Sequence, residues 1–122
     1  MQVGRGIADI TGEPADCGML GYAKAEQRTA GIHLRLRARA FVFDDDERRV
    51  LVVVAELPLA MQSVTDEVLA RLAQRFGDRY VDENTLITTT HTHAGPGGYC
   101  GHLMYNLTTQ GFHPTTFEAI VA

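Results

Sequence analysis

The run Val50-Leu51-Val52-Val53-Val54-Ala55 constrains the fold more than any other part of the chain. It is β-branched and continuously apolar, a pattern that suits a central strand buried on both faces. The segment before it, His33 to Phe43, alternates at its end, with Ala38, Ala40 and Val42 opposite Arg37, Arg39, Phe41 and Phe43. Strand side chains point to opposite faces in turn, so this alternation reads as a second strand. Asp44-Asp45-Asp46-Glu47 between the two is a charged turn, and the pair is expected as an antiparallel hairpin.

The same reasoning locates the other elements. Val3 to Ile10 reads as a short strand loosened by Gly4 and Gly6. Thr11 to Gly31 carries little periodicity and is expected as a long loop, a kind of segment that is often functional. Ser63 to Phe76 is the clearest helix, with Val64, Val68, Leu69, Leu72 and Phe76 on one stripe. Ser63 with Asp66 reads as a capping box and Gly77 as the stop. Leu86 to Thr90 reads as the next strand. Thr115 with Glu118 reads as a second capping box, opening a helix on which Phe117, Ile120 and Val121 begin an apolar face. Strand, strand, helix, strand predicts an α/β fold: a mixed β-sheet with flanking helices. The last helix has no C-terminal cap before Ala122, so residues 1–122 are expected to be the N-terminal piece of a longer protein.

Composition excludes several functions. At a net charge of −4 the chain has neither a basic footprint for nucleic acid nor a polybasic patch for an anionic membrane. No apolar run approaches the roughly 20 residues a bilayer span needs. Met1-Gln2-Val3-Gly4-Arg5-Gly6 lacks the apolar core of a signal peptide, so the chain reads as intracellular as written or as stripped of an export signal. Cys17 and Cys100 do not make a disulfide framework and are expected as free thiols. Asn106-Leu107-Thr108 is a formal glycosylation sequon, meaningful only in a secreted eukaryotic protein.

The chemistry concentrates in Thr90-His91-Thr92-His93-Ala94-Gly95-Pro96-Gly97-Gly98-Tyr99. Two histidines one residue apart at a strand end are expected on one side of the sheet. The glycine-rich turn after them lets backbone approach closely. Zinc favours imidazole, thiolate and carboxylate, so His91 and His93 are candidate ligands. An isolated His-x-His is more often structural than metal-binding, and the turn and the strand-end position count toward the metal reading. His33, His102 and His113 form no second ligand motif. The turn is either a source of N–H groups for a developing oxyanion or simply a tight turn. Asp9 and Glu56, at strand ends, are candidates to orient a histidine, with a solvated or capping role the commoner case.

The blocks Gly6-Ile7-Ala8-Asp9-Ile10-Thr11-Gly12, Gly18-Met19-Leu20-Gly21-Tyr22, Thr29-Ala30-Gly31-Ile32-His33 and Arg39-Ala40-Phe41-Val42 resemble the N-terminal region of the neutral/alkaline ceramidases. Thr90 to Gly98 resembles the same family's zinc motif, and Tyr105-Asn106-Leu107, Gly111-Phe112, Thr116-Phe117 and Ala119-Ile120-Val121 are similar to the family's next segment. The order is kept over nearly the whole chain, and its character is bacterial, with an actinobacterial cast.

This resemblance implies a zinc-dependent amidase that splits ceramide into sphingosine and a fatty acid. It implies Zn2+ held by the first histidine of the motif, here His91, with the other ligands (a histidine, a glutamate and a tyrosine) in sequence beyond residue 122. His93 is implied beside the metal as a catalytic group, contacting the water or the polar head of the substrate. Gly21 and Tyr22 are implied at the substrate entrance; by the chemistry of an amide oxyanion, the turn at Gly95 is a candidate backbone N–H donor to substrate. Met19, Leu20, Leu103 and Met104 are candidates to line a lipid cleft, or ordinary core. The chain departs from the family at Ala94, where serine is common, and at Glu56-Leu57-Pro58, where an aspartate followed by Leu-Gly is expected. Two alternatives remain: a small stand-alone metal-binding or interaction module, and a hydrolase of another N-acyl lipid.

Overall fold

The computed structural model describes residues 1–122. Its main sheet has four strands: β1 (Gln2–Asp9), β4 (Arg37–Asp44), β5 (Arg49–Ala55) and β6 (Thr85–Thr89), in the order β1-β4-β5-β6. β1 and β4 run antiparallel, with Gln2 opposite Asp44 and Asp9 opposite Arg37. β4 and β5 form the expected antiparallel hairpin, Ala38 opposite Ala55 and Asp44 opposite Arg49. β6 pairs parallel to β5, Leu51 opposite Thr85 and Ala55 opposite Thr89. Parallel neighbours need a crossover, supplied here by helix α1 (Gln62–Phe76). The architecture is the mixed sheet with flanking helices that the element order implies.

Burial departs from the pattern. β5 lies inside the sheet, yet only Leu51 and Ala55 are buried and Val50 is exposed. The buried cluster sits instead where the strand ends meet the loops: Ile10, Leu20, Leu36, Leu57, Met61, Val64, Tyr99 and Val121, with Val68 and Phe117 packed on its margin. Leucine-sized side chains contribute about 1.5–3 kcal/mol each when fully buried, so this junction is the most heavily stabilised part of the chain.

Both expected capping boxes are absent. α1 begins after Met61 with no side-chain cap, and the Ser63 hydroxyl donates to the Tyr99 carbonyl while accepting from the Gly101 N–H. Asp66 accepts from the Gln62 side chain. Gly77 closes the helix as expected, at φ 67° with its N–H on the Ala73 carbonyl. Helix α3 (Pro114–Val121) starts on a proline, and Glu118 pairs with Arg71 of α1. Tertiary partners outcompete the local cap in both helices. The stretch expected as a loop between Thr11 and Gly31 contains two short antiparallel strands, β2 (Ala15–Gly18) and β3 (Arg28–Ala30). They are too short and irregular to show a period. Helix α2 (Leu103–Thr108) completes the set. No helix is long and apolar enough to cross a membrane.

Candidate metal centre

β6 ends at Thr89, and the Thr90 N–H extends its pairing by one bond to Ala55. The chain then turns sharply: His91 has φ 60°, in the left-handed region that L-residues seldom occupy. The expected cause of the histidine pairing, strand alternation, therefore does not operate. The two imidazoles meet all the same, with ring centroids 4.7 Å apart and planes at 87°.

What holds them is main chain. His91 Nδ1 lies 2.7 Å from the Pro58 carbonyl oxygen, and His93 Nδ1 lies 2.8 Å from that of Leu20. A carbonyl only accepts, so each Nδ1 carries a hydrogen, and in the neutral ring each Nε2 keeps its lone pair. Metal-binding histidines are oriented in this way, by a hydrogen bond from the nitrogen that does not bind the metal. The two residues thus fit a metal as donors. Within residues 1–122 no group of three or more His, Cys, Asp or Glu side chains is placed to hold a metal ion.

Gly21 and Tyr22 both reach His93. A Cβ at Gly21 falls 2.0 Å from His93 Nδ1, and Gly21 has φ 107°, so only glycine lets the imidazole settle there. Tyr22 meets the ring edge-on at a centroid distance of 5.7 Å. Beside His93 opens a cavity of about 280 Å³ lined in part by Leu20, Gly21, Pro58, Leu59, Met104 and Tyr105. Leu20 is core as well as lining, while Leu103 and Met104 are exposed on α2.

Gly95 packs on Leu36, and a Cβ there falls 2.8 Å from Leu36 Cδ1. With Thr90, Thr92 and Pro96 it lines a different cavity, of about 660 Å³, together with Met19, Arg35, Arg37, Arg39 and Glu56. Neither carboxylate candidate orients a histidine. Asp9 accepts from the Thr11 hydroxyl and N–H, which hold it below the usual carboxylate range with help from Arg37 and Arg35. Glu56 is held low chiefly by Arg39, and it also accepts from the Arg37 N–H. The orienting role falls to the carbonyls of Pro58 and Leu20. No side-chain pattern announces them, because every residue carries a carbonyl.

The turn after the histidines is buried from Gly95 to Cys100 and tied down on all sides. Gly97 N–H donates to the Gly18 carbonyl, and His113 N–H donates to that of Gly98. Cys17 and Cys100 are both buried free thiols, and burial pushes Cys17 up from its ordinary range. Asn106, the sequon residue, donates its amide to the Cys100 carbonyl and so belongs to this framework.

Fold and loop together define the class: a mixed α/β sheet that delivers an oriented imidazole pair at a strand exit. Residues 1–122 match the N-terminal profile of the neutral/alkaline non-lysosomal ceramidases, and the chain belongs to that family. It is 70% identical over 125 residues to the neutral ceramidase of Mycobacterium tuberculosis, covering 99% of this chain and 20% of that protein. It is 48% identical over 120 residues to the neutral ceramidase of Pseudomonas aeruginosa, covering 97% and 18%. The crystal structure of neutral ceramidase from Pseudomonas aeruginosa superposes with a TM-score of 0.94 over 98% of this chain and 19% of that one, at 48% identity. The chain therefore spans about a fifth of the length of the curated relatives it matches.

Proposed function

We propose that this chain forms the N-terminal part of a zinc-dependent amidase that hydrolyses the N-acyl bond of ceramide to sphingosine and free fatty acid. The observation that carries the reading is the pair of Nδ1-anchored imidazoles, in a chain 70% identical to a protein named neutral ceramidase. His91 is the metal ligand, through Nε2. The remaining ligands come from residues outside these 122. When bound, zinc supplies Lewis acidity for a carbonyl and acidifies a water to a pKa of about 7.

The chain's own residues orient the reacting groups and shelter the substrate. The Pro58 carbonyl fixes the His91 ring so that its lone pair has one direction. His93, held by the Leu20 carbonyl and backed by Gly21 and Tyr22, presents Nε2 as a hydrogen-bonding group to the water or to the polar head of the substrate. The largely apolar cavity beside it, with Leu20, Leu59 and Met104 in its wall, takes part of a lipid chain.

The test is release of fatty acid from labelled ceramide by the full-length product of this reading frame, with and without a zinc chelator. Chelator-sensitive release, restored by zinc, is the expected result. His91→Ala is expected to abolish zinc binding and turnover together, and retained activity overturns the ligand assignment. A folded, zinc-loaded protein that releases nothing from ceramide overturns the substrate and directs the search to other N-acyl lipids.

A further inference from the structure

The anchor of His91 needs an anchor of its own. Pro58 and Leu59 lie beyond the end of β5, where no sheet ladder holds the backbone. One side chain takes the ladder's place. Tyr99, wholly buried, donates its hydroxyl to the Leu59 carbonyl at 3.1 Å and accepts from the Leu59 N–H at 3.4 Å. A hydroxyl has one hydrogen and two lone pairs, so it serves both main-chain groups of one residue together. The Tyr99 carbonyl in turn accepts from Ser63 at the start of α1. Tyr99 therefore clamps the segment whose preceding carbonyl, that of Pro58, accepts from His91 Nδ1.

We propose that the Tyr99 hydroxyl is a positioning group for the metal ligand His91: it fixes the Leu59 main chain and, through it, the Pro58 carbonyl that orients the imidazole. The inference rests on the reading of His91 as a zinc ligand. It also accounts for the departure at position 58. The group that matters there is a carbonyl, which proline supplies as well as glycine, and Pro58 has no N–H to leave unpaired.

The experiment measures zinc affinity of the full-length product by competition with a chromogenic chelator, alongside thermal unfolding of the metal-free form. Four proteins are compared: unsubstituted, Tyr99→Phe, Ser63→Ala and His91→Ala. Tyr99→Phe keeps the ring and removes only the hydroxyl. Its zinc affinity is expected to fall about 10- to 100-fold, the usual effect of losing a group that supports a ligand. Ser63→Ala loosens the same tyrosine's carbonyl without touching Leu59, and is expected to lower the unfolding temperature while leaving zinc affinity within about twofold. Unchanged affinity in Tyr99→Phe, or an equal loss in both variants, overturns the proposal. Unchanged affinity in His91→Ala overturns the metal reading itself, and the proposal with it. If Tyr99→Phe does not fold, amide hydrogen exchange of the unsubstituted protein decides. The Leu59 N–H is expected to be protected, and free exchange there overturns the clamp.

Discussion

β1 and the loop from Gly95 to Cys100 invert the usual relation between regularity and burial. β1 is fully laddered against β4 from end to end, and every one of its residues is exposed. The loop has no regular element, and every one of its residues is buried. A strand satisfies its polar backbone groups from its neighbour and needs no burial for that. A buried loop must find a partner for each group separately, or incur a desolvation cost of about 1–3 kcal/mol per orphan. This one takes them from Gly18, Ser63, Asn106 and His113, residues scattered over the chain. Buried loops of this kind are uncommon because so many partners must coincide. The histidine pair stands at the entrance to that loop and inherits its rigidity.

Substitutions in the two regions should therefore differ widely in effect. The largest is expected at Gly98, where φ is 75° and a Cβ falls 2.0 Å from His113 Cδ2 and 2.9 Å from the Gly111 carbonyl oxygen. Gly98→Ala combines strained backbone with overpacking and is expected to destabilise the full-length product by about 3 kcal/mol or more, read from the denaturant midpoint. A midpoint equal to that of the unsubstituted protein contradicts the picture of a rigid, buried loop. Gly21→Ala comes next. The added methyl displaces His93 rather than main chain, so activity is expected to drop on the order of 100-fold with the fold retained. The loss should appear in kcat more than in KM.

Glu56→Gln acts through charge and should be smaller. Arg39 holds the Glu56 carboxyl below its ordinary range, so the folded chain binds fewer protons there than the unfolded chain. The resulting stability is complete above the unfolded value of about 4.3 and is lost as pH falls through the lower, folded value. The variant is expected to melt below the unsubstituted protein near neutral pH, and the gap should close as the pH is taken below about 4. A gap independent of pH rules out the ion pair as its source. Ile7→Thr, on the exposed β1 strand, is expected to change stability by no more than about 0.5 kcal/mol. A larger loss shows that this face is covered in the full-length product.

Sequence patterns are legible where the physics is local. The hairpin of β4 and β5, the helix α1 and its Gly77 stop come from periodicity and from the one residue without a Cβ, although of the expected stripe only Val64 is buried and Phe76 is exposed. The same local reasoning fails at both helix N-termini, because Ser63 and Glu118 have better partners far away in sequence than in their own first turn. It fails again between Thr11 and Gly31, where strands of three and four residues are too short to carry a period. At the site, the motif names His91 and His93, and the family blocks name Gly21 and Tyr22. Gly95, of the same motif, packs on Leu36 and lines the cavity shared with Thr90 and Thr92.

Residue types and their order are enough for the mixed sheet, the family and the two imidazoles, because apolar periodicity and a ten-residue motif are properties of the chain itself. The orientation of those imidazoles is not available there. It depends on the carbonyls of Pro58 and Leu20, 33 and 73 residues away, and on a tyrosine hydroxyl that stands in for a missing ladder. Main-chain acceptors are the same at every position, so only the packed fold selects which of them a histidine meets.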